Sequence, residues 1–75
     1  MSKYTIIVEY DPEAKAYSVT VPALPGCTSQ GDTIEEAIAN AKQAITGHIE
    51  ALRQIGEPVP VETERPQALT IDVAA

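Results

Sequence analysis

Three carboxylates of this 75-residue chain, Glu9, Glu50 and Asp72, lie on three different predicted elements and are the first candidates for metal-dependent phosphoryl transfer. Such chemistry holds two metal ions about 4 Å apart, so the carboxylates must converge on one point. Their directions disagree, because Glu50 lies beside the solvent stripe of its predicted helix, while Glu9 and Asp72 alternate away from the apolar face of the sheet. We therefore interpret them as solvated surface charges, and predict a protein that is not an enzyme and holds no metal or cofactor.

Two further side chains could do chemistry, Cys27 and His48. A reactive thiolate needs a cation nearby, and Cys27 has none close in sequence, which favours a buried or turn cysteine over a nucleophile. His48 is the single histidine and lies at the margin of the apolar stripe of a predicted helix. A hydrogen-bonded boundary residue is favoured there over a metal ligand or a general base, because no second ligand accompanies it.

The charge balance restricts the class of partner. Eleven acidic residues against five basic ones give a formal net charge of −6. Nucleic-acid binding needs clustered basic side chains, whereas these are scattered singly, so we predict no direct binding of nucleic acid. An acidic surface is complementary to a basic protein partner, although the acidic charge could equally serve only to keep the protein soluble.

Size and hydropathy bound the architecture. The chain is predicted to form one domain over residues 1–75, with no apolar run near the ~20 residues that a membrane span requires and no signal region at the N-terminus. A cytoplasmic protein that does not bind membranes is therefore expected. Because a domain this small buries little surface and has one cysteine and no zinc site, we predict a homodimer or a higher homo-oligomer.

Period-two alternation of apolar residues predicts a β-hairpin from residues 4–10 and 16–21, joined by a turn at residues 11–15. Prolines then take the chain out of the sheet, and residues 27–30 are long enough for one short edge strand. Gly26 and Gly31 on either side allow backbone angles that other residues avoid.

The helix is predicted to begin at a capping box of Thr33 and Glu36, or of Asp32 and Glu35 in the alternative register, and to end at about Gly56. A proline-containing connector follows over residues 57–67. Alternating apolar residues then predict a last strand, which completes the order β-β-β-α-β; these residues are Leu69, Ile71 and Val73.

The segment between the hairpin and the helix has a distinctive sequence. It reads P-x-L-P-G-C over residues 22–27, G-D-T over residues 31–33 and E-E-A over residues 35–37. In this order and spacing it resembles the HicB-like antitoxin family. The resemblance implies an α+β fold of two layers, described as a partial ribonuclease H-like fold, with sheet order 3-2-1-4 and one helix on one face.

The resemblance also implies a function, that of an antitoxin-like binding module. Its partner would be a small basic HicA-like toxin, an mRNA interferase with a double-stranded-RNA-binding-like fold and a catalytic histidine, whose RNA-binding and catalytic surface the module would occlude. The alternative is an orphan oligomeric adaptor or regulator without a toxin. Many family members continue into a C-terminal DNA-binding domain, whereas this sequence ends at Ala75, so a short form without that domain is expected.

The segment from Pro22 to Gly31 is the one we predict to be functional, although a rigid turn that only aims the helix would explain it equally well. Partner contacts are predicted at two acidic residues of the hairpin and at seven residues of this segment and the helix start, namely Glu9, Asp11, Pro22, Leu24, Pro25, Gly26, Cys27, Gly31 and Asp32.

Overall fold

The computed structural model describes residues 2–74, which form a three-stranded antiparallel sheet followed by one helix. The strands are β1 (Ile7–Asp11), β2 (Ala16–Thr20) and β3 (Thr28–Gly31), and the helix is α1 (Ile34–Gln54). Strand β2 is central, between β1 and β3. The predicted α+β class is confirmed, with three strands and one helix.

The hairpin of β1 and β2 forms where the alternation predicts it. Val8 lies opposite Val19 and Tyr10 opposite Tyr17, which places four apolar side chains on one face of the sheet. The two tyrosine rings meet edge to face, with centroids 5.1 Å apart. This is the favourable arrangement for aromatic neighbours on paired strands.

The turn between these strands is held by Asp11. Its Oδ1 accepts hydrogen bonds from the backbone N–H of Glu13 at 3.0 Å and of Ala14 at 3.4 Å. Lys15 then takes a left-handed conformation with φ of 53°, which returns the chain into β2. An aspartate at the start of a turn characteristically bonds its own backbone in this way.

Helix α1 has well-defined ends. Thr33 caps the N-terminus, because its Oγ1 accepts the Glu36 N–H at 3.1 Å, so the first of the two predicted registers is confirmed. At the C-terminus Gly56 has φ of +76°, and its N–H donates to the carbonyl of Arg53 while the N–H of Glu57 donates to that of Leu52. This pair of bonds is a Schellman motif, which satisfies the last carbonyls of the helix.

The core lies between the sheet and the helix in two adjoining clusters. Val19 packs with Ala37 and Ala41 under the middle of the sheet. Val21, Leu24 and Cys27 form the second cluster, closed by half-buried side chains that include Tyr4, Ile6, Ala44 and Ile45. The buried helix residues are alanines, so the helix approaches the sheet closely.

The prediction of a last strand is wrong. None of the residues from 55 to 74 belongs to a strand or a helix, and Leu69, Ile71 and Val73 are 79%, 76% and 73% exposed. Alternation gives a segment one apolar face, but a strand also needs an edge to pair with and a surface to bury against, and among the described residues this segment is unpaired and exposed. The predicted order 3-2-1-4 therefore lacks its fourth strand within the described residues, and the ribonuclease H-like description stays a prediction.

Residues 2–74 contain no helix with the length and apolarity needed to cross a membrane.

Candidate functional site

The segment after β2 folds into two successive tight turns. The N–H of Leu24 donates to the carbonyl of Val21, and the N–H of Cys27 to that of Leu24, both at 3.0 Å. The N–H of Val21 reaches back to the carbonyl of Cys27 at 3.2 Å and closes the loop. Gly26 has φ of +84°, which glycine adopts without steric cost.

These turns bury two side chains of the loop and leave others exposed. Leu24 is fully buried and Cys27 is 4% exposed, while Pro22, Pro25 and Gly26 are exposed. The predicted partner contacts at Leu24 and Cys27 thus fall on core residues, which hold the loop in shape. A partner at this surface would meet the two prolines and the glycine.

Burial also decides the chemistry of the thiol. It raises the pKa of Cys27, so the sulfur is held protonated and is a poor nucleophile. This agrees with the interpretation of Cys27 as a buried cysteine.

The connector after the helix lies beside this loop. The hydroxyl of Tyr4 donates to the carbonyl of Pro60 at 2.6 Å, and the Glu62 carboxylate accepts the N–H and the hydroxyl of Thr5, each at 2.7 Å. A groove of about 340 Å³ runs between loop and connector, lined among others by Pro22, Ala23, Val61 and Arg65. The connector's part in this surface was not predicted, because it depends on contacts between residues more than 50 positions apart.

The other predicted contact residues lie at the opposite end of the sheet. The register places Pro22 level with the residues before β1, whereas Asp11 ends β1 some six residues further along, about 20 Å away. Gly31 and Asp32 follow β3 at this far end, since Gly31 pairs with Tyr17 next to the hairpin turn. The predicted contacts therefore form two separate surfaces, a proline loop and an acidic end.

Gly31 has a structural reason to be glycine. It is buried, and a Cβ placed on it would lie 2.8 Å from the Cα of Ala37 and against the backbone nitrogen of the same residue. Its φ is not in the left-handed region, whereas that of Gly26 is. Gly31 instead makes room for the first turn of the helix.

The acidic end consists of exposed carboxylates on β1, the hairpin turn and the helix start. Residues 9–36 carry six carboxylates and one basic side chain, Lys15. One carboxylate oxygen of Asp11 accepts the hydrogen bonds that hold the hairpin turn. Glu36 Oε1 accepts the Asp32 N–H at 3.2 Å. Glu9 is exposed in the middle of β1, on the sheet face away from the helix.

Within residues 2–74, no three His, Cys, Asp or Glu side chains are grouped so that they could hold a metal ion. Glu9, Glu50 and Asp72 thus do not converge, and His48 is half-buried on the helix, at the boundary position predicted for it. Exposed prolines and carboxylates on a rigid frame can bind another protein.

The comparisons with known proteins agree with this geometry. The family model described as "HicB_like antitoxin of bacterial toxin-antitoxin system" matches residues 4–71. The solved N-terminal domain of the Burkholderia pseudomallei antitoxin HicB is 42% identical, with a TM-score of 0.68 over 85% of this chain and 72% of that one.

Two further proteins extend the comparison. The longer structure of the same Burkholderia antitoxin gives a TM-score of 0.71 at 42% identity over 89% of this chain, which spans only 48% of that antitoxin. A UPF0150 protein of Thermoplasma acidophilum is 48% identical over 58 residues, which are 77% of this chain and 83% of the relative. The fold is shared and the family model spans residues 4–71, so the chain belongs to the HicB-like antitoxin family of bacterial toxin–antitoxin systems.

Proposed function

We propose that this chain neutralises a HicA-type mRNA-cleaving toxin by binding it and covering its RNA-binding and catalytic surface. The observation that carries the proposal is the family match over residues 4–71. In this proposal the protein acts stoichiometrically in the cytoplasm, as a homodimer or a higher homo-oligomer. It catalyses no reaction, uses no cofactor and does not itself bind nucleic acid.

Charge supports a toxin as the partner. A protein that binds RNA needs a positive surface to neutralise phosphates. The acidic end of this chain, with Glu9, Asp11 and Asp32, is complementary to such a surface, and complementary charge speeds encounter and favours one docking orientation. A toxin docked in this way cannot admit the phosphates of its substrate. The proline loop offers a second, rigid contact that loses little entropy on binding.

The decisive experiment titrates this protein into a cleavage reaction. A HicA-type toxin is purified, and its cleavage of a labelled RNA is followed as this protein is added. Inhibition that saturates near equal numbers of subunits is the expected result. Undiminished cleavage at large excess would favour an adaptor without a toxin, and cleavage of the RNA by this protein alone would favour a nuclease.

The electrostatic part of the proposal has its own test. Glu9→Lys reverses a charge at the acidic end without touching the turn that Asp11 holds, and should slow association with the toxin more than it speeds dissociation. Glu50→Lys is the matched control, because Glu50 lies 16 residues from the start of α1, about 24 Å along the helix. Equal association rates for the two variants would show that the toxin does not approach the acidic end.

A further inference from the structure

Two large apolar side chains are exposed at the acidic end of the molecule. Tyr10, near the end of β1, is 54% exposed, and Ile34, the first residue of α1, is 44% exposed. Within residues 2–54, every other valine, leucine, isoleucine and tyrosine is buried or half-buried. Apolar side chains that are exposed together and surrounded by polar residues are typical of a surface that binds another protein.

The two side chains lie on the same side of the molecule. Tyr10 is two residues from Val8, which pairs with the buried Val19, so the Tyr10 side chain is on the helix-facing side of the sheet. Ile34 is one helical turn before Ile38, which lines a groove between the helix and the residues that precede β1. Both therefore lie on the β1 side of the helix.

Tyr17 fixes the position of the Tyr10 ring. It pairs with Tyr10 on one side and with Gly31, three residues before Ile34, on the other, so it lies between Tyr10 and the start of the helix. The two tyrosine rings have centroids 5.1 Å apart and planes inclined by 61°. A tyrosine ring held in this way loses little conformational entropy when a partner binds to it.

The surroundings of these side chains indicate the chemistry of the partner. Exposed carboxylates follow both of them directly in the sequence, Asp11 after Tyr10 and Glu35 after Ile34. Residues 9–36 carry six carboxylates and one basic side chain. A cationic side chain is attracted both by carboxylates and by the face of an aromatic ring. An arginine or a lysine of a basic protein fits this combination.

We propose that Tyr10 and Ile34 form the centre of the contact with the toxin, and that an arginine or lysine side chain of the toxin lies against the Tyr10 ring. The carboxylates of Asp11 and Glu35 form the charged rim of this contact. Charges at a rim speed association, whereas apolar and aromatic groups at a centre slow dissociation. This inference rests on the toxin-binding function proposed above and assigns the side chains that keep the toxin bound.

The test measures the binding kinetics of full-chain variants on an immobilised HicA-type toxin by surface plasmon resonance. Tyr10→Ala should raise Kd at least about tenfold, mainly through faster dissociation, because a central aromatic contact is lost. Ile34→Ala should also speed dissociation. Ile55→Ala is the matched control, since Ile55 is 71% exposed at the other end of α1, and it should leave both rates unchanged.

Two more substitutions at Tyr10 distinguish the aromatic ring from its apolar bulk. Tyr10→Phe keeps the ring face and should bind like wild type, whereas Tyr10→Leu keeps the bulk alone and should dissociate faster. Wild-type dissociation of Tyr10→Leu would overturn the contact between a cation and the ring. Circular dichroism establishes that each variant is folded at the temperature of measurement. Ile34→Ala leaves the Tyr10–Tyr17 contact in place, so it tests the surface even if Tyr10→Ala unfolds.

The outcomes separate this surface from the function on which it rests. Toxin binding that neither Tyr10→Ala nor Ile34→Ala weakens would overturn this surface and leave toxin neutralisation standing. Equal losses in Ile34→Ala and Ile55→Ala would also overturn it, because the effect would not be located at the acidic end. A wild-type protein that neither binds the toxin nor inhibits its cleavage of RNA would overturn both proposals.

Discussion

The Glu62 carboxylate accepts two hydrogen bonds from Thr5, one from its N–H and one from its hydroxyl, although 57 residues separate the two in sequence. The hairpin register would place Pro22 opposite Thr5, but the chain leaves β2 at this point. Thr5 therefore has no strand partner on that side, and Glu62 supplies the acceptor that a buried or half-buried N–H requires. The contact joins the connector to the start of the sheet.

This contact predicts a pH dependence of stability. The bond from the Thr5 N–H, then that from its hydroxyl and the nearby charge of Arg65, lower the pKa of Glu62 from the ordinary 4.5. A pKa that is lower in the folded state stabilises the fold while the carboxylate is ionised, and this contribution is lost as the pH falls below 4.5 and through the folded-state value.

We expect Glu62→Gln to lower the thermal midpoint at neutral pH. Below pH 4.5, where wild type loses the contribution of the ionised carboxylate, the thermal midpoint of this variant should fall less than that of wild type. Glu64→Gln, at an exposed position of the same connector, is the control and should follow wild type. Melting curves at several pH values measure both effects. If Glu62→Gln and wild type lose stability in parallel as the pH falls, the contact does not contribute to the fold.

Gly31 predicts a large steric effect from a single methyl group. In Gly31→Ala the new Cβ would lie 2.8 Å from backbone atoms of Glu36 and Ala37, which cannot move without displacing the first turn of the helix. Overpacking of this kind costs about 1–3 kcal/mol in free energy of unfolding. Urea denaturation measures the loss, and an unchanged midpoint would show that β3 and the helix can separate freely.

Gly47→Ala is the opposite case. Gly47 lies inside α1, and a Cβ there would meet no atom within 4 Å. Because alanine is the better helix former, we expect a gain of about 0.5–1 kcal/mol in the same urea titration. A loss would indicate that this helix face packs against another subunit in solution.

The sequence predicts the local elements well, because periodicity and capping act between near neighbours. The hairpin, the cap at Thr33 and the helix end at Gly56 all lie where their patterns indicate. The contact of Glu62 with Thr5 could not be predicted in this way, because it joins residues that are 57 positions apart in sequence. The alternation around Ile71 led to a wrong prediction of a strand, because alternation alone does not specify the edge with which a segment pairs.

The same distinction applies to the candidate site. The P-x-L-P-G-C sequence identifies the loop, but which of its side chains point outwards is decided by the turns of the backbone. Leu24 and Pro25 are adjacent in sequence, but Leu24 is fully buried and Pro25 is exposed.

This difference predicts separate effects of two neighbouring substitutions. Leu24→Ala removes a fully buried side chain and should cost about 2–5 kcal/mol of stability. Pro25→Ala should cost less than about 1 kcal/mol, because it only increases the freedom of the unfolded chain. If the loop contacts the toxin, Pro25→Ala weakens binding while the fold persists. Equal losses of stability in denaturant would show that Pro25 is part of the core.

The start of the helix gives the last prediction. Thr33 Oγ1 accepts the Glu36 N–H at 3.1 Å, while Asp32 takes part through its backbone N–H, which any residue except proline retains. Thr33→Ala should therefore cost about 1 kcal/mol, and Thr33→Ser, which keeps the hydroxyl, should stay close to wild type. Asp32→Ala loses only the interaction of its charge with the helix dipole, a few tenths of a kcal/mol at an exposed position. Denaturation of the three variants side by side distinguishes these contributions, and an equal loss in Thr33→Ala and Thr33→Ser would mean that the hydroxyl does not cap the helix.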